Sequence, residues 1–516
     1  MFCVKISLME KQMKHFMYTV FFLLVPLIFF SHCNGDGSGS DPEPQPPQNP
    51  IPQLTALSPT SAVSHLPAFT LTVNGSDFVT GAKIVFNGTE MSTTFVGSGE
   101  LTCQVEPADT LVTGAVVYGG GPAAGPSNES VIVLVRNPAP GGGDSNSLDF
   151  TIHDNHTFGS PQNISQNAGF SYHPDIAVDK DGGINVVWYD DTPGNDEIFF
   201  SRSSDGGAAW SQAVNISNNP GISFTPVVGV DDAGNINAAW WDTSHTNREI
   251  FFSRSGDEGV TWSQPKDLTH NSGRSDEPAM AVDGGGTIYL VWEDKTPGNW
   301  DILFTRSQNG GASWSPLKNI SKNPAHSSWP AIAVDGSGHL NVAWNDYTTG
   351  SRRVFFSRSG DGGTTWSNAV NVYNQTGLSG YPAIAVDGEG SILLAWTFST
   401  PSERRIYVSR SIDNGLTWSQ PVSAAPQSQD AVFPDIAVDS VGNINLAWWD
   451  QVQGNREIYY CRSIDSGATW TQALNISDNA GDSSFPAVAV DRSGWVYVVW
   501  LDHSAGNREI FFATSR

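Results

Sequence analysis

Residues 174–210 read PDIAVDKDGGINVVWYDDTPGNDEIFFSRSSDGGAAW, and this block returns through the rest of the chain. Its proline, Pro174, recurs at Pro226, Pro278, Pro330, Pro382, Pro434 and Pro486. Its middle tryptophan, Trp188, recurs at Trp240, Trp292, Trp344, Trp396, Trp448 and Trp500. Its last tryptophan, Trp210, recurs at Trp262, Trp314, Trp366, Trp418 and Trp470. Every step is 52 residues, without insertion or deletion. A fixed period of this size marks one supersecondary unit stacked many times over.

Each copy offers four strands. In the first copy they are Asp175–Val178, Ile184–Tyr189, Glu197–Arg202 and a short piece ending at Asn215-Ile216-Ser217. Apolar residues fall on both faces of the second and third, so the sheet is covered on both sides. Asp and Gly stand three apart in the first turn, as in Asp231/Gly234 and Asp439/Gly442. Asp accepts backbone N–H bonds there and Gly supplies a positive φ; the run of carboxylates that a calcium loop needs is missing. The Asn-x-Ser triplets, such as Asn215-Ile216-Ser217, recur with the repeat and read as strand ends. The chain ends before the last copy reaches its final tryptophan. The missing piece stands upstream: Phe158 lies one period before Trp210, and Pro161–Ser165 matches Ala213–Ser217. The N-terminal strand should complete the C-terminal sheet and remove an exposed edge. The expected fold is all-β: a seven-bladed β-propeller over 153–516.

Upstream, Lys5, Lys11 and Lys14 precede the apolar run Phe16–Phe30. Residues 1–33 therefore read as an export signal. The run ends Phe30-Ser31-His32-Cys33 and resembles a bacterial lipoprotein signal with Cys33 as the lipidated residue; Phe30 and His32 depart from the usual leucine and small residue. Residues 34–52, rich in Gly, Ser and Pro, read as a semi-rigid linker. Residues 53–137 carry short alternating strands between turn signals such as Asn74-Gly75 and Asn87-Gly88, the pattern of an immunoglobulin-like β-sandwich. The stretches LTALSPTSA, LTVNGSDF, GAKIVFNGT and VIVLV resemble the IPT/TIG family, which implies a spacer or adhesive module. Residues 138–152 read as a Gly-rich linker and lead-in. Cys103 and Cys461 stand apart and read as buried small hydrophobes.

Twenty-six basic against 52 acidic residues give a formal charge of −26. A polyanion is repelled by such a chain, which excludes nucleic acid as a partner.

Between the third and fourth strands stands Ser-x-Asp-x-Gly-x-Thr-Trp, intact at Ser255–Trp262, Ser359–Trp366, Ser411–Trp418 and Ser463–Trp470. This resembles the BNR or Asp-box repeat of the sialidase superfamily. The resemblance implies a propeller whose boxes are folding motifs on the face opposite any active site. It also offers a function, glycoside hydrolysis, but the chain lacks the Arg-Ile-Pro signature of sialidases. Arg202, Arg254, Arg306, Arg358, Arg410 and Arg462 share one repeat position, which points to architecture.

A site is expected where copies differ. Glu197, Glu249, Asp301, Glu457 and Glu509 share a position that holds Arg353 and Arg405 in copies four and five. With Arg352 and Arg404 they make pairs of planar donors suited to carboxylate or sulfate. Trp329, Tyr347 and Tyr381 stand in neighbouring loops as sugar-stacking candidates. The leading expectation is a non-catalytic cell-surface propeller binding an acidic glycan or a surface protein, with no cofactor and no metal. It is secreted or held to the bacterial surface by a lipid anchor, its one tie to a membrane. The alternatives are a diverged sialidase-like hydrolase, with Asp346 as acid and Tyr347 or Tyr381 as nucleophile, and a protein-interaction scaffold.

Overall fold

The computed structural model describes residues 47–63, 69–106, 128–153 and 158–516, apart from residues 246, 429 and 453. The expected export signal with Cys33, and most of the linker, lie outside the described residues. Among the described residues every regular element is a strand.

The upstream runs form β1 (Gln53–Ser58), β2 (Ser61–Val63), β3 (Phe69–Ser76), β4 (Lys83–Phe86), β5 (Thr89–Glu90), β6 (Thr93–Gly97), β7 (Glu100–Val105) and β8 (Asn128–Asn137). One sheet has the order β1-β3-β7-β6. Apolar residues alternate along these strands, so Leu71, Val73, Leu101 and Cys103 turn into one core with Val133 and Val135. The stretch 138–152, expected as a linker, is corrected here. It carries β9 (Gly143–Asp144) and β10 (Leu148–His153), and the second sheet runs β2-β10-β8-β4-β5 with β9 on β8. Phe150 and Ile152 are fully buried in the sandwich. Gly141 and Gly142 take φ of 70° and 68° in a turn, so the glycines make a tight reversal and not a tether.

Each downstream copy builds one four-stranded antiparallel sheet. In the first these are β12 (Ser171–Val178), β13 (Ile184–Asp190), β14 (Glu197–Ser203) and β15 (Val214–Asn215), after the short β11 (Gln162–Asn163). Later copies repeat the order, and the last sheet, from Ser483 to Thr514, is completed by β11: Gln162 pairs with Phe512 and Asn163 with Phe511. The Ser165 hydroxyl donates to Glu509 and accepts the Ile510 N–H at 2.9 Å.

The first strand of each copy starts earlier than its sequence suggests. It begins at Ser171, and its register slips between Tyr172 and Asp175. The same bulge returns before every repeating proline. Proline has no N–H for the ladder, so the bulge is where a strand accommodates it.

The middle tryptophans are all wholly buried. The Asp box joins neighbouring sheets. In the second copy the Ser255 hydroxyl donates to Asp257 (2.8 Å) and accepts the Gly259 N–H (2.9 Å), while Thr261 donates its N–H (2.8 Å) to the same carboxylate. In the fourth copy the corresponding Thr365 donors hold the Asp361 carboxyl down at about 2. The turn sets Trp262 edge-on against Phe200 of the preceding sheet at 5.1 Å. A Cβ on Gly259 would meet Phe200 at 2.0 Å, so the box glycine is needed for contact as well as for its φ of 86°. Trp314, Trp366 and Trp418 repeat the contact with Phe252, Phe304 and Phe356, and Trp210 makes it with Phe512, joining the first copy to the last.

The other repeating polar residues are architectural too. Arg202, Arg254, Arg358, Arg410 and Arg462 each pair with the Asp of the first turn of their own sheet. That Asp caps the turn: Asp231 accepts the N–H groups of Ala233 (3.0 Å) and Asn235 (2.9 Å). Asn215 of the Asn-x-Ser triplet accepts the Asn218 N–H at 2.8 Å, a local cap at the strand end. Cys103 and Cys461 are buried.

Ser165→Ala leaves Glu509, 2% exposed, without the hydroxyl that reaches it from the N-terminal strand. The expected loss is about 1–3 kcal/mol in urea unfolding, larger than for alanine at the exposed Ser160.

Candidate ligand site at the rim of the central cavity

The bulges push one residue of every copy toward a common axis. These are His173, Thr225, Glu277, Trp329, Tyr381, Phe433 and Phe485, each just before a repeating proline. All have positive φ, from 44° at His173 to 56° at Tyr381. A left-handed backbone at a non-glycine residue costs on the order of 1–2 kcal/mol, and a following proline restricts it further. The ring is held by its neighbours. The Trp329 N–H donates to Glu293 (3.2 Å), that of Tyr381 to Asn345 (2.9 Å) and that of Phe433 to Thr397 (3.2 Å). In each case the acceptor follows the middle tryptophan of the preceding copy.

Residues of every copy line a cavity of about 320 Å³ on this axis. Its rim is not uniform. Trp329, Tyr381, Phe433, Phe485 and His173 pack in succession at 5.4, 4.1, 5.1 and 4.1 Å between ring centroids. Thr225 and Glu277 interrupt this aromatic arc. Below the rim, Asp175 and Asp435 accept the amides of Val228 and Val488, both at 2.7 Å. They face the cavity and keep some accessible surface, yet protein surrounds them. Burial pushes Asp175 up to about 7 and Asp435 up to about 6, and drives His173 down to about 4.

Next to the interruption the third copy departs from the repeat at several positions. Asp276, 4% exposed, accepts Arg248 at 2.9 Å and Arg274 at 3.2 Å. Arg248 lies 4.1 Å over the Trp241 ring and Arg274 5.5 Å over Trp300. Burial and mutual repulsion push Glu277 up to about 8; burial pushes Glu293 up to about 7. Stacking continues on both sides. Trp241 stacks on Phe224 (4.6 Å), Phe224 meets Tyr189 edge-on (4.5 Å) and Tyr189 stacks on Tyr172 (5.0 Å). Trp300 faces His326 (6.0 Å), which faces Tyr347 (5.5 Å). The result is one band of aromatic faces and guanidinium groups, with two carboxyls that hold protons near neutrality.

The sequence candidates fall differently. Trp329 and Tyr381 stand in the aromatic arc, and Tyr347, 39% exposed, ends the band. Arg352 lies 4.7 Å over Tyr381. The four arginines do not make a free cationic patch. Arg353 is 9% exposed and donates to the carbonyls of Arg352 and Gly377. Arg405 pairs with Glu403 and Arg404 with Asp430. The reason lies in the fourth strand. Where the position holds Glu197, Glu249 or Asp301, the acid accepts Ser217, Thr269 or Ser321. Copies four and five replace that hydroxyl by Tyr373 and Ala425, and Arg replaces the acid. Asp346 is corrected as a candidate acid. It is 1% exposed and accepts Asn323 (2.6 Å), Ser327 (3.1 Å), Trp344 (3.0 Å) and the Thr348 N–H (2.7 Å), so it is buried in a structural network away from any substrate.

Sequence reasoning missed Asp276, Glu277 and Glu293. Their signal was present: Asp276-Glu277 precedes Pro278, and Glu293 follows Trp292 where other copies hold Tyr, Trp, Asn, Thr or Leu. No metal site was expected. The structure brings ligand atoms of His245, Asp267 and His270 within 4.8 Å of one another, the two histidines exposed and Asp267 part-buried at the end of a fourth strand.

Comparison with known proteins agrees with this architecture. Residues 126–342 match the model of the BNR repeat-like domain and residues 52–152 that of the IPT/TIG domain. The two matches overlap, and β8 and β10 place the shared residues in the sandwich. A sialidase of Clostridium perfringens is 26% identical over 209 residues, covering 33% of this chain and 52% of that protein. The chain thus spans about half the length of this curated relative. Among solved structures, a PL25 ulvan lyase is 14% identical with a TM-score of 0.49 over 69% of this chain and 93% of its own. A leech intramolecular trans-sialidase is 13% identical with a TM-score of 0.42 over 90% and 92%. The chain is thus similar to the IPT/TIG domain over residues 52–152 and to the BNR repeat-like domain over residues 126–342.

The raised carboxyls make stability depend on pH with a definite sign. The native state holds protons on Asp175, Glu293 and Glu277 up to about pH 7–8, whereas the unfolded chain releases them near pH 4. Their stabilising share is complete below pH 4, is lost progressively as pH rises, and is gone above about pH 8. His173 acts oppositely, but only between about 4 and 6.5. Urea unfolding should therefore show stability falling between pH 6.5 and 8.5, by on the order of 1–3 kcal/mol. Glu277→Gln should flatten that slope.

Proposed function

We propose that this is a glycan-recognising protein whose repeats close into a seven-bladed propeller. Its ligand lies across the rim of the central cavity, at copies two and three. The observation that carries the reading is the band from Tyr172 to Tyr347, broken by the Arg248–Asp276–Arg274 bridge. Aromatic faces offer stacking to sugar rings. Paired guanidinium groups beside them offer planar donors to a carboxylate or sulfate. The sialidase and polysaccharide lyase names among the relatives support a glycan ligand. The sequence of residues 1–33 supports display at the cell surface through Cys33.

The test is calorimetric titration with uronate-rich and sulfated oligosaccharides. Arg248→Ala and Arg274→Ala should each weaken binding about tenfold or more. Arg353→Ala and Arg405→Ala should leave it within about twofold, because Arg353 is buried and Arg405, 28% exposed, offers less surface than Arg248 at 37% and Arg274 at 47%. Binding lost only in the second pair would overturn this placement.

A second reading, hydrolysis at the same rim, is favoured by one observation. Glu277 and Glu293 titrate near neutrality, where a carboxylic acid can act as proton donor. Release of a fluorogenic aglycone from a sialoside, abolished by Glu277→Gln with binding retained, would establish it.

A further inference from the structure

The joint between the sheets of copies five and six is built unlike the others. The fourth-strand core position holds Ile164, Ile216, Leu268, Ile320, Val372 and Ile476, but Ala424 in copy five. Phe200, Phe252, Phe304 and Phe356 fill the place against the box glycine of the next copy, where copy five has Val408. A Cβ on Gly259 or Gly415 would meet that Phe at 2.0 Å, whereas one on Gly467 meets Val408 only at 4.0 Å. Ala424, in place of the larger residue of the other copies, lines a cavity of about 410 Å³ together with Trp448, Tyr459 and Trp470. Exposed Pro426, Gln427 and Gln472 stand at its mouth.

The polar groups of the same joint have lost their partners. In copy two, Asp242 accepts Asn219 and Ser223, both at 2.6 Å, and the Ser244 N–H at 2.6 Å. Its counterpart in copy six is Asp450. There the asparagine is Gln427 and the serine is Ala431. The turn that supplies the amide is replaced by continued strand pairing, Val452 with Asn455. Asp450 is 3% exposed and its Oδ1 has no hydrogen-bond partner. The Ser428 hydroxyl and Trp448 indole N–H lie near it, yet neither makes an aligned hydrogen bond. Among the described residues no basic side chain pairs with Asp450; Arg404 pairs with Asp430 instead. Burial pushes the Asp450 carboxyl above its usual range.

An isolated buried carboxylate is costly unless a cation or a proton accompanies it. A mostly apolar wall with a single carboxylate suits a ligand with one charged end. Aromatic faces beside that acceptor favour a positive charge over a neutral one. We propose that this cavity binds a small organic ammonium ion, its N–H group on the Asp450 carboxylate and its apolar body against Tyr459 and Trp470. The site is separate from the rim of the central cavity, and its occupancy does not depend on the glycan reading.

Benzylammonium and benzyl alcohol are matched probes, differing mainly in charge. In calorimetric titration of the full chain, benzylammonium should bind saturably and about tenfold tighter than the alcohol. Asp450→Asn should reduce that preference to about twofold or less. Ala424→Ile restores the side chain of the other copies and should weaken both probes about tenfold or more, with an unchanged or raised melting temperature. No saturable binding to the wild-type chain would overturn the proposal. So would equal affinity for the two probes, or benzylammonium affinity unaffected by Ala424→Ile in a chain that melts normally.

Discussion

The edge-on contact of a box tryptophan with a phenylalanine of the preceding sheet is the joint on which the repeat region depends. Trp262 on Phe200 shows its requirements. The tryptophan must leave the hairpin at one angle, which the Ser255–Asp257–Thr261 bonds enforce. The backbone opposite must be glycine. The phenylalanine must sit at a fixed point of the third strand, so the number of residues between joints cannot drift. A constant period of 52 is the outward sign of this inner constraint. Trp210 and Phe512 impose it between the two ends of the region. Where the chain supplies Phe158 in place of a tryptophan, the partner is Tyr460 at 4.9 Å, and the edge-on geometry survives.

The same regularity explains what was legible in the sequence. Strand order, the completing role of Pro161–Ser165 and the structural nature of the box follow from residues that repeat, and repeated residues have repeated surroundings. The site was less legible because a departure from the repeat has two physical meanings. Arg353 and Arg405 depart because their fourth-strand partners, Tyr373 and Ala425, changed with them. Asp276 departs together with its partner Arg274, whereas Glu277 departs without such compensation and keeps a carboxyl at the central cavity. Both look alike along the chain. They separate only when the partner across the sheet is known. The early start of each first strand was hidden for a related reason. Proline reads as a strand boundary, whereas here it sits inside a bulged strand.

Asp346 teaches the converse lesson. A carboxylate near aromatic residues resembles a catalytic acid, yet four donors saturate it. Asp450, at the equivalent place, lacks the Asn, Ser and turn N–H donors, and the different fate of two residues at one repeat position comes from the loop before them and the turn after them.

The bulge before each proline has an evolutionary consequence. It lifts one residue per copy out of the hydrogen-bond ladder, with its backbone held by the proline and by an acceptor from the neighbouring copy. The side chain at that point contributes little to strand pairing. His173, Thr225, Glu277, Trp329, Tyr381, Phe433 and Phe485 share one backbone geometry, yet the side chains range from five aromatic rings to a threonine and a glutamate. The fold therefore carries a palette of independently replaceable positions around one axis, and selection can repaint the rim while the scaffold that presents it stays the same.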